Sequence, residues 1–152
     1  WGVRVHWLEF LDRRVSLPIS ERFHEVGYNS ASRGGEPFEA LIRSKGYTPN
    51  AVTRFCTSEL KVRVIKWFMQ GLGYTNWTSV IGLRADEMHR VKKSAVKRRE
   101  PWTNAMPLAD AGITNRMVRA FWAEQGFDLG LLPFEGNCDG CFLKARPKLW
   151  EI

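Results

Sequence analysis

Short apolar runs alternate with helical stripes along most of this chain, and that alternation constrains its fold more than any other feature. "VRVHWLEF" (3–10) places Val3, Val5 and Trp7 on one face of an expected strand. "GGEPFEALIRSKG" (34–46) reads as a helix, with Pro37 in its first turn and Gly46 ending it; Phe38, Leu41 and Ile42 share its apolar face. A second helix, "TSELKVRVIKWFMQGLG" (57–73), is expected to be capped by Thr57, with Leu60, Val64, Trp67 and Phe68 inward. "WTSVIGL" (77–83) reads as a buried strand and "TNAMPL" (103–108) as a short strand stopped by Pro107. "TNRMVRAFWAEQG" (114–126) predicts a helix capped by Thr114, with Met117, Val118, Phe121 and Trp122 facing a core. A further short strand is expected near Phe23–Val26, inside a polar, turn-rich segment. Trp7, Trp67 and Trp122 are expected in the core. Alternation of this kind predicts an α/β protein, and no linker or repeat divides residues 1–152, so one domain is expected.

The 152 residues are 44% hydrophobic and 26% charged, a globular rather than a disordered balance. No run approaches the roughly 18 apolar residues a membrane span needs, so no membrane partner is expected. Three cysteines, an odd number, suit a reducing cytoplasm better than a disulfide framework.

The net charge is +7, and the positive residues gather locally. Arg84, Arg90, Lys92, Lys93, Lys97, Arg98 and Arg99 stand against only Asp86 and Glu87 between positions 84 and 99. Either a solvated basic face or an anionic partner, nucleotide or nucleic acid, accounts for that. Within "GLRADEMHR", Arg84, Asp86, Glu87 and Arg90 follow a predicted strand, at the end where open α/β sheets bind ligands. Arginine there suits phosphate or sulfate through bidentate donation. The competing reading is a surface loop with Arg84 paired to Glu87.

Cys138 and Cys141 lie two residues apart in "GNCDGCFLK" (136–144). Such a pair can bind a metal or cluster, form a redox disulfide, or be two thiols in a turn. Cys56, just before the expected helix, is the remaining thiol, and a helix N-terminus favours the thiolate. Three thiols suit zinc, or an iron–sulfur cluster with one open iron. Arg54 and Lys61 flank Cys56 and could hold an anion there. The histidines are scattered and are expected to be structural or exposed.

Four stretches in order, "RFCTSELK", "VIGLRADEMHR", "NAMPLADAGITNRMVRAFW" and "GNCDGCFLK", resemble the phosphoadenosine phosphosulfate (PAPS) reductase-like proteins in their phage-type branch. The matching positions are Cys56 and Lys61; Gly82, Arg84 and Arg90; Pro107, Leu108, Val118 and Trp122; and Cys138 with Cys141. The resemblance implies an adenine-nucleotide α-hydrolase-like fold, a doubly wound, mostly parallel sheet. It also implies an ATP or PAPS-type nucleotide and a [4Fe–4S] cluster, with zinc as the alternative, on Cys56, Cys138 and Cys141. The anion would be held by Arg54, Lys61, Arg84, Glu87 and Arg90.

The chain departs from that family in three places. No "SGGKDS"-type loop is present, which with the start at Trp1 implies that the first βα units are missing upstream. Phe55–Cys56 replaces a cysteine pair. The end, "ARPKLWEI", lacks the family's Glu-Cys-Gly tail, so sulfonucleotide reduction through that cysteine is not expected. Nucleotide-dependent sulfur transfer or substrate adenylation remains the expected activity, with no catalytic residue assigned. The alternatives are a nucleic-acid-binding module with a structural zinc and a remnant that binds nothing.

Overall fold

The computed structural model describes residues 2–11, 16–96, 99–128, 130–131, 141–142, 144 and 146–150. The chain divides into two compact units, Trp1–Tyr74 with Phe142–Ala145, and Thr75–Cys141 with Arg146–Ile152.

In the first unit, β1 (Trp7–Phe10) pairs antiparallel with β2 (Phe23–Val26), Glu9 opposite His24 and Phe10 opposite Phe23. A 3₁₀ turn, Ile19–Glu21, leads into β2. Glu9 holds the hairpin to the following loop. Its carboxylate accepts hydrogen bonds from the Ser32 amide (2.6 Å) and hydroxyl (2.8 Å), and lies 3.2 Å from His24 Nε2 across the strands. Burial alone would raise this carboxyl's pKa, but the Ser32 and His24 bonds outweigh it and the pKa is lowered.

Helix α1 (Glu36–Lys45) starts with Pro37 in its first turn and ends at Gly46, whose φ of 78° is the left-handed conformation that glycine adopts without strain. A second helical stretch follows in three parts: α2 (Phe55–Thr57), a π-helical segment (Ser58–Arg63) and α3 (Val64–Gly71). Phe10, Leu41, Phe55, Val64 and Trp67 form this unit's core, with Leu8, Phe23 and Leu60 packed against it. Beside it Glu59 is buried at 5% exposure. Lys45 Nζ, from the end of α1, donates to Glu59 Oε1 at 3.1 Å, and Arg63 forms an ion pair with Oε2 at 2.9 Å without hydrogen-bond alignment.

In the second unit, β3 (Trp77–Val80) and β4 (Trp102–Ala105) run parallel, with Trp77 opposite Trp102 and the two indoles stacked at 5.5 Å. Parallel strands need a crossover. It holds a 3₁₀ turn (Ala85–Glu87) and α4 (Met88–Ala95). Asn104 on β4 fixes α4 by donating from Nδ2 to the Ser94 carbonyl at 2.9 Å. Pro107 opens the short α5 (Pro107–Asp110), then come α6 (Asn115–Ala123) and, near the end, α7 (Arg146–Leu149).

These findings correct several expectations. The doubly wound, mostly parallel sheet is not what forms: among the described residues there are two separate two-stranded sheets, one antiparallel and one parallel. Alternating strand and helix patterns do not say whether the strands join one sheet. The first strand begins only at Trp7, and Val3 and Val5 are exposed. β3 is not buried; Val80 lies in the open. Thr57 is not a cap, because the helix has already begun at Phe55 and Thr57 has helical angles. Trp67 is in the core, but Trp7 and Trp122 are exposed. On α6, Met117, Phe121 and Trp122 are exposed as well.

Candidate functional site

The sequence-selected residues fall into two groups. Arg54, Cys56 and Lys61 share one helical stretch of the first unit: Arg54 precedes its first turn, Cys56 lies in that turn, and Lys61 lies in the π segment. Arg54 and Lys61 are exposed, and Cys56 is a half-buried free thiol. Arg84, Glu87 and Arg90 belong to the second unit and do come together.

The chain leaves β3 with the Ile81 amide donating to the Ala105 carbonyl (2.9 Å), which holds the carboxyl ends of β3 and β4 side by side. Leu83, just beyond, is buried, as is Met106 after β4. Those two anchors bracket the strand ends. The Ala85 amide then donates to the Ile113 carbonyl at 2.8 Å, tying this loop to the one after α5. Arg84, between these fixed points, is about 30% exposed.

Arg84 Nε donates to Asp86 Oδ1 at 3.0 Å. Its Nη2 stands 3.4 Å from Glu87 Oε2, which also accepts the Arg84 backbone amide at 3.2 Å. Arg90, one turn into α4, donates to Glu87 Oε1. Glu87 therefore joins both guanidinium groups. Desolvation would raise the Glu87 pKa, but the Arg84 amide and the two arginines outweigh it and the pKa is lowered. The Asp86 pKa is lowered too, first by the Asn115 amide, which donates to Oδ2 at 3.0 Å, and then by Arg84.

The loop pairing of Arg84 with Glu87 is thus present. It does not exhaust the donors, since a guanidinium carries five N–H groups. Arg90 remains two-thirds exposed. The arrangement is two oriented arginines at the carboxyl end of a parallel strand pair, a geometry suited to a phosphate or sulfate group. The sequence places Asp86 in this loop without assigning it a role; in the structure it anchors both Arg84 and the start of α6.

Of the proposed thiol ligands, Cys138 lies outside the described residues. Cys141 is a half-buried free thiol assigned to the second unit, and Cys56 belongs to the first. Among the described residues, no three His, Cys, Asp or Glu side chains form a group able to hold a metal ion. Among the described residues, too, no helix is long and apolar enough to cross a membrane.

No family model matches the chain, and no solved structure matches it. It is similar to the uncharacterized nin region protein ORF290 of Escherichia phage lambda, 33% identical over 116 residues. That alignment covers 75% of this chain and 37% of the phage protein, so the chain spans little more than a third of that relative's length.

Proposed function

We propose that this chain is part of a PAPS reductase-like enzyme acting in nucleotide-dependent sulfur transfer or substrate adenylation. In this reading Arg84 and Arg90 hold the phosphate or sulfate end of an adenine nucleotide. The observation that carries it is the joint anchoring of both arginines by Glu87 directly after β3, beside the carboxyl end of its parallel partner β4. A preoriented guanidinium loses less freedom on binding than a mobile one, and its fork matches two oxygens of a tetrahedral anion. Similarity to a phage protein supports the phage-type branch.

Arg54 and Lys61 supply a second pair of exposed cations, on the helical stretch that carries Cys56. Cys56, Cys138 and Cys141 are the thiols that would hold a [4Fe–4S] cluster or zinc, which would supply a site for binding sulfur or a Lewis acid.

Calorimetric titration with ATP, PAPS and inorganic sulfate tests the reading. Arg84→Ala and Arg90→Ala should each weaken nucleotide binding roughly tenfold or more, the scale of a hydrogen bond to a charged group. Arg43→Ala, on α1 and paired with Glu39 at 2.7 Å, should leave it unchanged. Nucleotide affinity indifferent to both Arg84 and Arg90 sinks the proposal. Anaerobic iron and sulfide loading, read as absorbance near ~400 nm and its loss in Cys56→Ser, tests the thiol set separately.

A further inference from the structure

The four charged side chains at the turn after β3 cancel one another. Arg84 and Arg90 bring two positive charges, Asp86 and Glu87 two negative ones. Contacts join all four: Arg84 Nε to Asp86 Oδ1 at 3.0 Å, Arg84 Nη2 to Glu87 Oε2 at 3.4 Å, and Arg90 Nη1 to Glu87 Oε1. Both acids have lowered pKa values, so both are ionised at neutral pH. Donors are nevertheless left over. Of its five N–H groups, each guanidinium spends only part on an acid. Arg84 keeps Nη1, and Arg90 keeps Nε and Nη2, without a partner among the described residues. The cluster can therefore hydrogen-bond an anion while offering it no net charge at contact range.

The helices that meet this turn carry other charges. They are His89, Lys92 and Lys93 on α4, Asp110 on α5, and Arg116 and Arg119 on α6, all exposed. None of them is bonded to the four clustered groups. Exposed charges at a distance are screened by salt, whereas groups in contact with a ligand are not. What the cluster itself offers therefore decides which anion it keeps. The cost of taking an ion out of water grows with the square of its charge, so a doubly charged anion is much harder to strip than a singly charged one. A site of net positive charge offsets that cost. This one does not, because whatever a second charge gains from Arg84 and Arg90 it loses to Asp86 and Glu87.

We propose that Asp86 and Glu87 are specificity-determining residues: they make the arginine pair select a singly charged tetrahedral group over a terminal phosphate, which carries about two charges near neutral pH. The inference rests on the nucleotide-binding reading above and narrows it. The group held is a sulfate ester or an esterified phosphate, each with one negative charge and at least two oxygens for the leftover N–H groups.

The test compares adenosine 5′-monophosphate, its methyl ester and adenosine 5′-sulfate by calorimetry with the full chain, at about pH 8, where a terminal phosphate is fully ionised. The first ligand is doubly charged and the other two singly. At least one singly charged ligand should bind roughly tenfold or more tighter than the monophosphate. Whether that is the sulfate or the methyl ester says which group the site takes. Glu87→Gln and Asp86→Asn each delete one negative charge and keep an oxygen as acceptor. Each should raise affinity for the monophosphate relative to the other two and so narrow the ratio. Damage to the loop would weaken all three ligands together, so the ratio separates charge from positioning. A monophosphate bound as tightly as both other ligands, or a ratio unmoved in both variants, overturns the proposal. The nucleotide reading survives that result if Arg84→Ala still weakens every ligand. No binding of any ligand, or binding indifferent to Arg84→Ala and Arg90→Ala, removes that reading and this one with it.

Discussion

Asp86 accepts the backbone amide of Asn115, 29 residues further along the chain, at 3.0 Å while its other oxygen holds Arg84 Nε at 3.0 Å. One carboxylate thus orients a candidate ligand-binding arginine and satisfies a first-turn amide of α6 that has no partner within its own helix. Asp86→Ala should release both. Amide hydrogen exchange of Asn115 and the next residues of α6 should quicken, and nucleotide affinity should fall with it. Unchanged exchange at Asn115 would show that another group satisfies that amide.

Acid should loosen the protein in a defined window. Glu9, Asp86 and Glu87 all have pKa values below their ordinary 4.5, 3.8 and 4.5 in the folded chain. A carboxylate whose pKa falls on folding contributes stability that is complete above the unfolded value and disappears as pH drops through the folded one. Denaturant midpoints should therefore stay level down to about pH 5 and fall steadily below it. Ser32→Ala, which deletes one of the bonds to Glu9, should reduce that dependence in probes of the first unit.

Leu41 is completely buried in the first unit's core. Leu41→Ala should cost about 2–5 kcal/mol, the range for emptying a packed aliphatic site. Phe38→Ala, three residues earlier on the same helix but with 40% of its surface exposed, should cost much less. Denaturation followed by far-ultraviolet circular dichroism compares them.

The Glu59 carboxylate is sealed between Lys45 and Arg63. Lys45→Met removes its only aligned hydrogen-bond donor among the described residues and should destabilise by about 1–3 kcal/mol, the cost of a buried acceptor left short. Adding Glu59→Met should recover part of that loss, since a buried ion pair replaced by apolar groups is often neutral. A double variant less stable than Lys45→Met alone would contradict this.

Local chemistry made some of the fold legible. Pro37 and Gly46 bound α1 because one fixes φ at a helix start and the other adopts a positive φ at its end. Phe23–Val26 is a strand where its pattern predicts one. The tertiary partners of those elements were not legible. Periodicity shows that α6 has an apolar face but not whether anything covers it, and here Phe121 and Trp122 face solvent. The Val3–Val5–Trp7 alternation exists, yet β2 pairs only from Trp7 onward. At the candidate site, Arg84, Glu87 and Arg90 were selected because they follow a strand, and they do cluster. That Asp86 links them to α6 is a contact across 29 residues, which no local pattern encodes.

The π-helical turn has a geometric consequence. Phe55 and Val64 are nine positions apart. At the ~100° per residue of regular α winding they would point in opposite directions. Both nevertheless enter the same core, because the looser coil of Ser58–Arg63 rotates less with each step. A π-helical turn takes about one residue more than the α-helical turn it replaces. Shortening it by one exposed residue, such as Val62, would tighten the winding while leaving Phe55 and the adjacent Cys56 aimed as they are now; straightening it at full length would turn that thiol by about 100° around the helix axis.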